Sequence, residues 1–583
     1  GRNTLDAWCT ISRDDKGDQS VYSPKRRHGY LPVGRIQGNG VEPLKSAFIF
    51  LISLRQNLLI SVPMRFSNTF TKVEKSAFFL LLLCFPYLGW GQNGHLNTTE
   101  GDGQRQRPNI LFMIADDWSF PHAGVYGDEV VRTPTFDALA EAGALFTNAY
   151  CAAPSCSPSR ASILLGKYPH QMESAGNLWS VIPQKFPNWM SLLEEAGYHT
   201  GKNRKGWGPG DFEAGGYAHN PAGEEYPNFK AFLEEKETDR PFAFWFGSTD
   251  PHRDYVTNTG VQTGMNPERV LVPGFFPDNA CVRNDILDYY FEVERFDREA
   301  GNLLALLRDQ GLLENTLVIM TSDNGMPFPR AKANLYDYGT RMPLAIYWKG
   351  QIVGGKRIDD FVNFVDFAPT ILEATGLTQP KGLSGHSLLE LFDTDGLTVD
   401  RSRVFLERER HANVRKGNLS YPVRAVRTKD FLYIRNFEPD RWPAGDPLVH
   451  QSVGQYGDVD NSITKFLIMQ MEGSPTDKDY FQLAFGKRPA EEFYVLAQDP
   501  YNLKNEVDNP AHQTTVAALR KELAEWMRAT GDLRAKEPQT EYWDKLRYTP
   551  DYQHQNVDWR GELQAYQMLL RDGWGFKEVG CME

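Results

Sequence analysis

Cysteine is scarce and positive charge is outweighed. The six cysteines, Cys9, Cys84, Cys151, Cys156, Cys281 and Cys581, are spread over 583 residues, too few and too scattered for a disulfide framework or a zinc knuckle. A formal net charge of −12 argues against the broad basic face that general binding to nucleic acid requires, so no nucleic-acid partner is expected. Any anionic ligand must be held by a local cluster. Apolar runs of membrane length are missing too: Ala77 to Leu88 falls short of the ~20 residues that cross a bilayer.

What remains is an ordinary globular composition, 24% charged and 41% hydrophobic, which is enough for a large core and two domains. Aromatic residues make up 13%, with 13 tryptophans. They suit sugar-stacking platforms and a large core alike, and the core reading leads.

The first ninety residues read as processing signals. No methionine precedes Met64; from there a basic stretch with Arg65, Lys72 and Lys75 leads into the apolar run and then small residues before Gln92, the order of a secretory signal peptide over 64–91. Residues 1–63 are expected to be non-native upstream sequence, and 92–106 a polar linker. The protein is expected to be exported, to the periplasm, the cell surface or the medium, with no stable membrane span after processing.

From residue 107 the pattern changes. "NILFMIADD" is a continuous apolar run of strand length ending in Asp116 and Asp117; "PFAFWFGSTDPH" ends in Asp250, Pro251 and His252; "NTLVIMTSDNG" ends in Asp323 and Asn324. Continuous apolar runs are the mark of strands covered on both faces. Helix-like stretches lie between them: "FDALAEAGALF", "NWMSLLEEAGY" and "VERFDREAGNLLALLRDQG", the last closing on a glycine suited to a C-cap. Alternation of this kind predicts an α/β fold, a mainly parallel sheet between helices. Ligands of such sheets sit outside the carboxyl ends of the strands. Asp116, Asp117, Asp323 and Asn324 offer only oxygen, which favours a hard cation, calcium or magnesium; turn and cap roles are the alternative.

Cys156 stands directly before Ser-Pro-Ser-Arg. A disulfide to Cys151 is one reading. A thiolate activated at a helix N-terminus is another, although no histidine base follows within the segment. Neither accounts for Pro158 and Arg160.

Cys-x-Pro-Ser-Arg followed by "ASILLGK" resembles the signature of type I sulfatases, in which the cysteine is oxidised to formylglycine by a maturation enzyme. The hydrated aldehyde carries two hydroxyls on one carbon: one attacks sulfur, and the other, once deprotonated, expels sulfate. "DPHR", "SDNGMPFPRAKANLY" and "SYPVRAVRTKDFLYIRNF" are most similar to sulfamidases, which remove the N-linked sulfate of glucosamine in heparan-type glycans, and "EEFYVLAQDPYNLKNEV" is similar to a segment of the sulfatases' small C-terminal domain. The resemblance spans about 107–545. It implies an alkaline-phosphatase-like catalytic domain over 107–390 and a C-terminal subdomain and tail over 391–583. There "VFLERERH" and "YPVRAVRTKDFLYIRNF" would form an antiparallel sheet and "TTVAALRKELAEWMRAT" a helix.

Carried over by position, the resemblance makes Asp116, Asp117, Asp323 and Asn324 calcium ligands and Cys156 the formylglycine precursor. Arg160 would hold the formylglycine hydroxyl, Lys205 and Lys332 the sulfate oxygens, and His252 would stand near the leaving atom. Glu409, Arg410 and His411 would read the sugar. The chain departs from the family at two places. Leu164, Leu165, Gly166 and Lys167 replace Leu-Thr-Gly-Arg, and Lys205-Gly206-Trp207 replaces Lys-x-His, which removes a candidate proton donor and leaves Trp207 to line the sugar subsite. The reaction expected is hydrolysis of sulfate from a sulfated saccharide, first of all the N-sulfate of glucosamine in heparan-type glycans; the alternatives are an O-sulfatase of another sulfated glycan, a phosphoesterase of the same superfamily and a catalytically inactive glycan-binding protein.

Overall fold

The computed structural model describes residues 107–392, 398–448, 454–474 and 478–546. The upstream extension, signal peptide and linker expected over 1–106 lie outside them. Seven strands form the main sheet: β1 (Asn109–Ala115), β2 (Ala144–Tyr150), β3 (His199–Arg204), β4 (Phe242–Gly247), β5 (Thr316–Ser322), β6 (Arg341–Tyr347) and β7 (Lys356–Asn363), in the order β3-β4-β1-β5-β6-β2-β7. Every neighbouring pair is parallel except those made by β6, which runs against β5 and β2.

The strand runs are apolar throughout because successive residues face opposite layers. Leu111 and Met113 of β1, Phe242, Phe244 and Phe246 of β4, and Val318 and Met320 of β5 enter one core; Ile110, Phe112, Ile114, Ala243, Trp245, Leu317 and Ile319 enter the other. Helix α1 (Pro134–Ala142) packs on the first face, and α2 (Cys156–Leu165) and α3 (Trp189–Glu195) on the second. Helix α4 (Ala280–Asp309) joins α1, and α5 (Phe367–Ala374) joins α2 and α3. The Asn279 side chain caps α4 by accepting from Val282 N at 3.1 Å, and Gly311 beyond its end takes φ +68°. One expected helix is shorter than its pattern: "FDALAEAGALF" stays helical only to Ala142. Gly143 then turns the chain, and Ala144 pairs with Ile346 and Lys356. Sheet pairing overrides local helix preference there.

A second sheet, wholly antiparallel, contains β8 (Arg403–Arg408), β9 (Val423–Thr428), β10 (Phe431–Asn436) and β11 (Glu491–Val495) in sequence order. Val426, Tyr433 and Phe493 on one face pack under Val516, Leu519, Leu523 and Met527 of α7 (Gln513–Thr530), while helix α6 (Ile463–Gln470) joins the first core through Ile468. Leu406, Ala425, Leu432 and Ile434 on the other face pack against Tyr150, Tyr336 and Phe361 of the larger part. The fold class and the small sheet with its helix agree with the sequence reading. Among the described residues, no helix is long and apolar enough to cross a membrane.

Candidate active site

Four adjacent parallel strands, β3, β4, β1 and β5, end on one edge of the sheet, and each delivers polar residues there. Backbone bonds carry the ladder past the strand ends: Asp116 N donates to Asp250 O at 3.0 Å, Asp323 N to Ala115 O at 3.2 Å, and Lys205 N to Gly247 O at 3.0 Å. Three strands were expected at this edge from the sequence. The fourth, β3, supplies Lys205 from a segment whose pattern "HTGKNR" is too polar to stand out as a strand.

Asp117 takes φ +80°, a left-handed conformation that non-glycine residues adopt mainly where the surrounding structure imposes it. Its N–H donates to Asp323 Oδ1 at 3.1 Å, and its Oδ1 accepts from Asn324 Nδ2 at 2.7 Å. Oxygen atoms of Asp116, Asp117 and Asp323 and the sulfur of Cys156 all lie within 4.8 Å of one another. Asn324 Oδ1, buried beside them, has no hydrogen-bond partner, which is unusual for a buried acceptor. Three carboxylates and an unpaired amide carbonyl form an all-oxygen donor set of the kind a hard cation takes. The residues present fit calcium.

Cys156 opens α2, and its Sγ lies 3.5 Å from Asp116 Oδ1. Cys151 and Cys156 are both free thiols, so the disulfide reading is set aside. Burial pushes the Cys156 thiol well above its usual range despite the nearby Lys205 and Lys332. As an unmodified thiol it would be protonated at neutral pH and a weak nucleophile.

The cations are held in the same cluster. Arg160 Nε donates to Asp323 Oδ2 at 2.7 Å and Nη1 to the carbonyls of Lys205 and Gly206, while Nη2 has no hydrogen bond and stands 3.6 Å from Asp116 Oδ1. Lys205 Nζ reaches Asp116 at 2.6 and 2.7 Å; Lys332 Nζ reaches Asp117 Oδ2 at 2.7 Å. Burial would raise the Asp116 carboxyl, but Lys205, His252 and Arg160 hold it well below the usual range; burial lifts Asp323 to about 6. His252 points Nε2 to within 3.8 Å of Asp117 Oδ2, with Nδ1 2.7 Å from Arg253 O.

Not every expected residue reaches this cluster. Trp207 is 3% exposed and donates its indole N–H to Ser157 O at 3.1 Å, so it braces α2 and does not line a sugar subsite. The partly exposed Trp179 packs instead beside Cys156, with Leu178, Ala412 and Val414. Glu409 is buried in an ion-pair cluster, accepting from Arg424 Nη2 at 2.6 Å and from Arg534 Nε and Nη2 at 2.8 Å each, and Arg410 is buried beside Asn418. Of that trio only His411 touches the site wall, its Nδ1 2.8 Å from the Oγ of Ser155, the residue before Cys156. Burial lowers the His411 imidazole to about 3, which keeps it neutral. Asp460, which no sequence pattern marked, lies at the site, its Oδ2 3.1 Å from Lys332 Nζ.

Residues 108–377 match the family described as Sulfatase, and residues 330–446 the one described as N-sulphoglucosamine sulphohydrolase, C-terminal. The human N-sulphoglucosamine sulphohydrolase is 31% identical over 483 residues, covering 73% of this chain and 91% of that protein. This chain belongs to the sulfatase family. The sulfatase is also 27% identical over 496 residues to an ulvan-active sulfatase of Formosa agariphila, covering 76% of this chain and 78% of that one. In fold it is similar to a solved structure in complex with its substrate D-glucosamine-2-N,6-O-disulfate, with a TM-score of 0.54 at 19% identity, covering 74% of this sulfatase and 100% of that chain. The sulfatase is thus an enzyme that hydrolyses sulfate groups.

Proposed function

We propose that this sulfatase removes the N-linked sulfate from a glucosamine at the end of a heparan-type chain, with a formylglycine made from Cys156 by a maturation enzyme and a calcium ion held by Asp116, Asp117, Asp323 and Asn324. The observation that carries this reading is the meeting of Cys156 with three carboxylates and the unpaired Asn324 carbonyl. When bound, calcium would supply a fixed positive charge for a sulfate oxygen and for the nucleophile. The aldehyde would supply, in its hydrated form, an oxygen nucleophile that the buried thiol is not.

The chain's own residues supply the rest. Lys205 and Lys332, each on a carboxylate at 2.6–2.7 Å, are fixed cations at the place where charge develops on sulfate oxygens. Such preorganised charges act strongly where water is excluded. Arg160, anchored by Asp323 and by the Lys205 and Gly206 carbonyls, offers its unpaired Nη2 to the residue-156 hydroxyl. His252 turns Nε2 to the site while Nδ1 meets a backbone carbonyl, so Nε2 is the ring atom that faces the leaving nitrogen. In the same reading, 107–390 is the catalytic domain, 391–583 its subdomain and tail, and the protein is exported.

The substrate rests on the human relative, whose name specifies N-sulphoglucosamine. A second reading, an O-sulfatase of another polysaccharide, is favoured by the ulvan-active relative. Sulfate release from a panel of N- and O-sulfated monosaccharides separates them. The fastest release is expected from N-sulfoglucosamine; protein that ignores it and cleaves an O-sulfate would overturn the substrate and leave the sulfatase chemistry standing.

A further inference from the structure

Asp460 is a second acid on an ammonium that already has one. Lys332 is already paired with Asp117 at 2.7 Å, and Asp460 adds a second carboxylate to the same ammonium at 3.1 Å. A carboxylate there repels the sulfate that Lys332 is placed to hold, since like charges at close range oppose each other. Its exposure differs from that of its neighbours: the side chains of Lys332 and Asp117 are 3% and 0% exposed, whereas those of Asp460 and His252 are 29% and 32% exposed. One oxygen of Asp460, one of Asp117 and a ring nitrogen of His252 lie within 4.8 Å of one another. Asp460 and His252 therefore form the part of this cluster that an incoming molecule meets first.

The loop that carries Asp460 is fixed on both sides. Asp458 accepts from Ala412 N at 2.8 Å and from Arg415 Nη2 at 2.5 Å, and its own N–H donates to Ala444 O at 2.9 Å. After Asp460, Ser462 caps α6 by accepting from Lys465 N at 3.0 Å, and Lys465 Nζ returns to Val459 O at 2.8 Å and Asn461 Oδ1 at 3.0 Å. A backbone fixed on both sides in this way sets the position from which the Asp460 carboxylate reaches the site, and such preorganisation is what recognition of a small polar ligand needs.

We infer that Asp460 is a specificity-determining residue that accepts hydrogen bonds from the hydroxyls of the sugar carrying the sulfate, at the outer side of the sulfate pocket. A carboxylate rewards a neutral polyol and penalises a second anionic group at the same position. The inference rests on the proposed saccharide substrate but not on which sulfate is cut.

The test compares Asp460→Asn with the wild type on N-sulfoglucosamine, on O-sulfated glucosamines, and with inorganic sulfate as a sugarless inhibitor. Loss of a hydrogen bond to a charged acceptor is expected to lower kcat/KM on the sugar about 10- to 100-fold, while sulfate inhibits as tightly as before or more tightly, because a like charge has gone. Asp460→Ala repeats the measurement without a residual acceptor, and its melting curve checks folding. Sugar and sulfate weakening together would make Asp460 only a support for Lys332 and overturn the inference, as would an unchanged kcat/KM. Should the wild type ignore N-sulfoglucosamine, the substrate proposed above falls, and the comparison is read on whichever O-sulfated glucosamine it cleaves. Turnover of none of these sugars would overturn both.

Discussion

Replacing Glu409 by alanine is expected to destabilise the protein by about 3–5 kcal/mol, the loss typical of removing one partner from a buried ion pair, without reordering its preference among substrates. The magnitude follows from what is left behind. Arg534, 1% exposed, has two of its donors on Glu409 and a third on the Pro538 carbonyl, so the substitution strands a buried guanidinium. Arg424 is less affected, since Asp532 at 2.7 Å and Glu407 at 3.1 Å still face it. The double variant Glu409→Ala, Arg534→Met should therefore recover part of the loss, because no unpaired charge remains. Urea unfolding followed by tryptophan fluorescence measures the stability, and kcat/KM on an N-sulfated and an O-sulfated glucosamine measures the preference. An unfolding midpoint unchanged from the wild type, together with an altered preference, would refute the reasoning and return Glu409 to the sugar.

Burial alone would lower the pKa of His170, but Glu407, 2.7 Å from Nδ1, holds it above its ordinary 6.5. A folded pKa raised in this way contributes stability that is fully present below the unfolded pKa and lost as pH rises through the folded one. Unfolding midpoints should accordingly fall with rising pH above 6.5, and the slope should flatten in His170→Gln; an identical slope in the variant would show that another group carries it. Asp117→Ala and Asn324→Ala should each weaken calcium binding in a titration of chelated protein, and lower activity in step; full activity in the chelated wild type would contradict the metal assignment. Trp207→Ala should lose about 3–5 kcal/mol of stability as a large core truncation, whereas Trp179→Ala should raise KM for the sugar with little change in the melting curve. The reverse pattern would restore Trp207 to the subsite.

Two kinds of residue were legible in the sequence: those of the Cys-x-Pro-Ser-Arg signature at the start of α2, and those at the ends of buried strands. β1, β4 and β5 sit in the middle of the sheet, so both faces are covered and the runs are apolar without interruption; the acids that end them stand out by contrast. Pattern failed where position depends on distant contacts. β2 begins with residues that also suit a helix, and its pairing with β6 and β7 decides its state. Nothing around Trp207, Glu409 or Arg410 tells which way each side chain points, and all three turn inward. Asp460 belongs to no motif: Arg415 on Asp458 and the Ser462 cap bring it to Lys332, contacts that a single sequence does not display.

Because burial leaves the Cys156 thiol protonated, the account stands on its conversion to an aldehyde. The mass of the peptide carrying residue 156, taken from protein of measured activity, tests this most directly. An aldehyde in place of the thiol, in a fraction that rises and falls with specific activity from one preparation to the next, is the result predicted. Fully active protein whose Cys156 remains an unmodified thiol would contradict it.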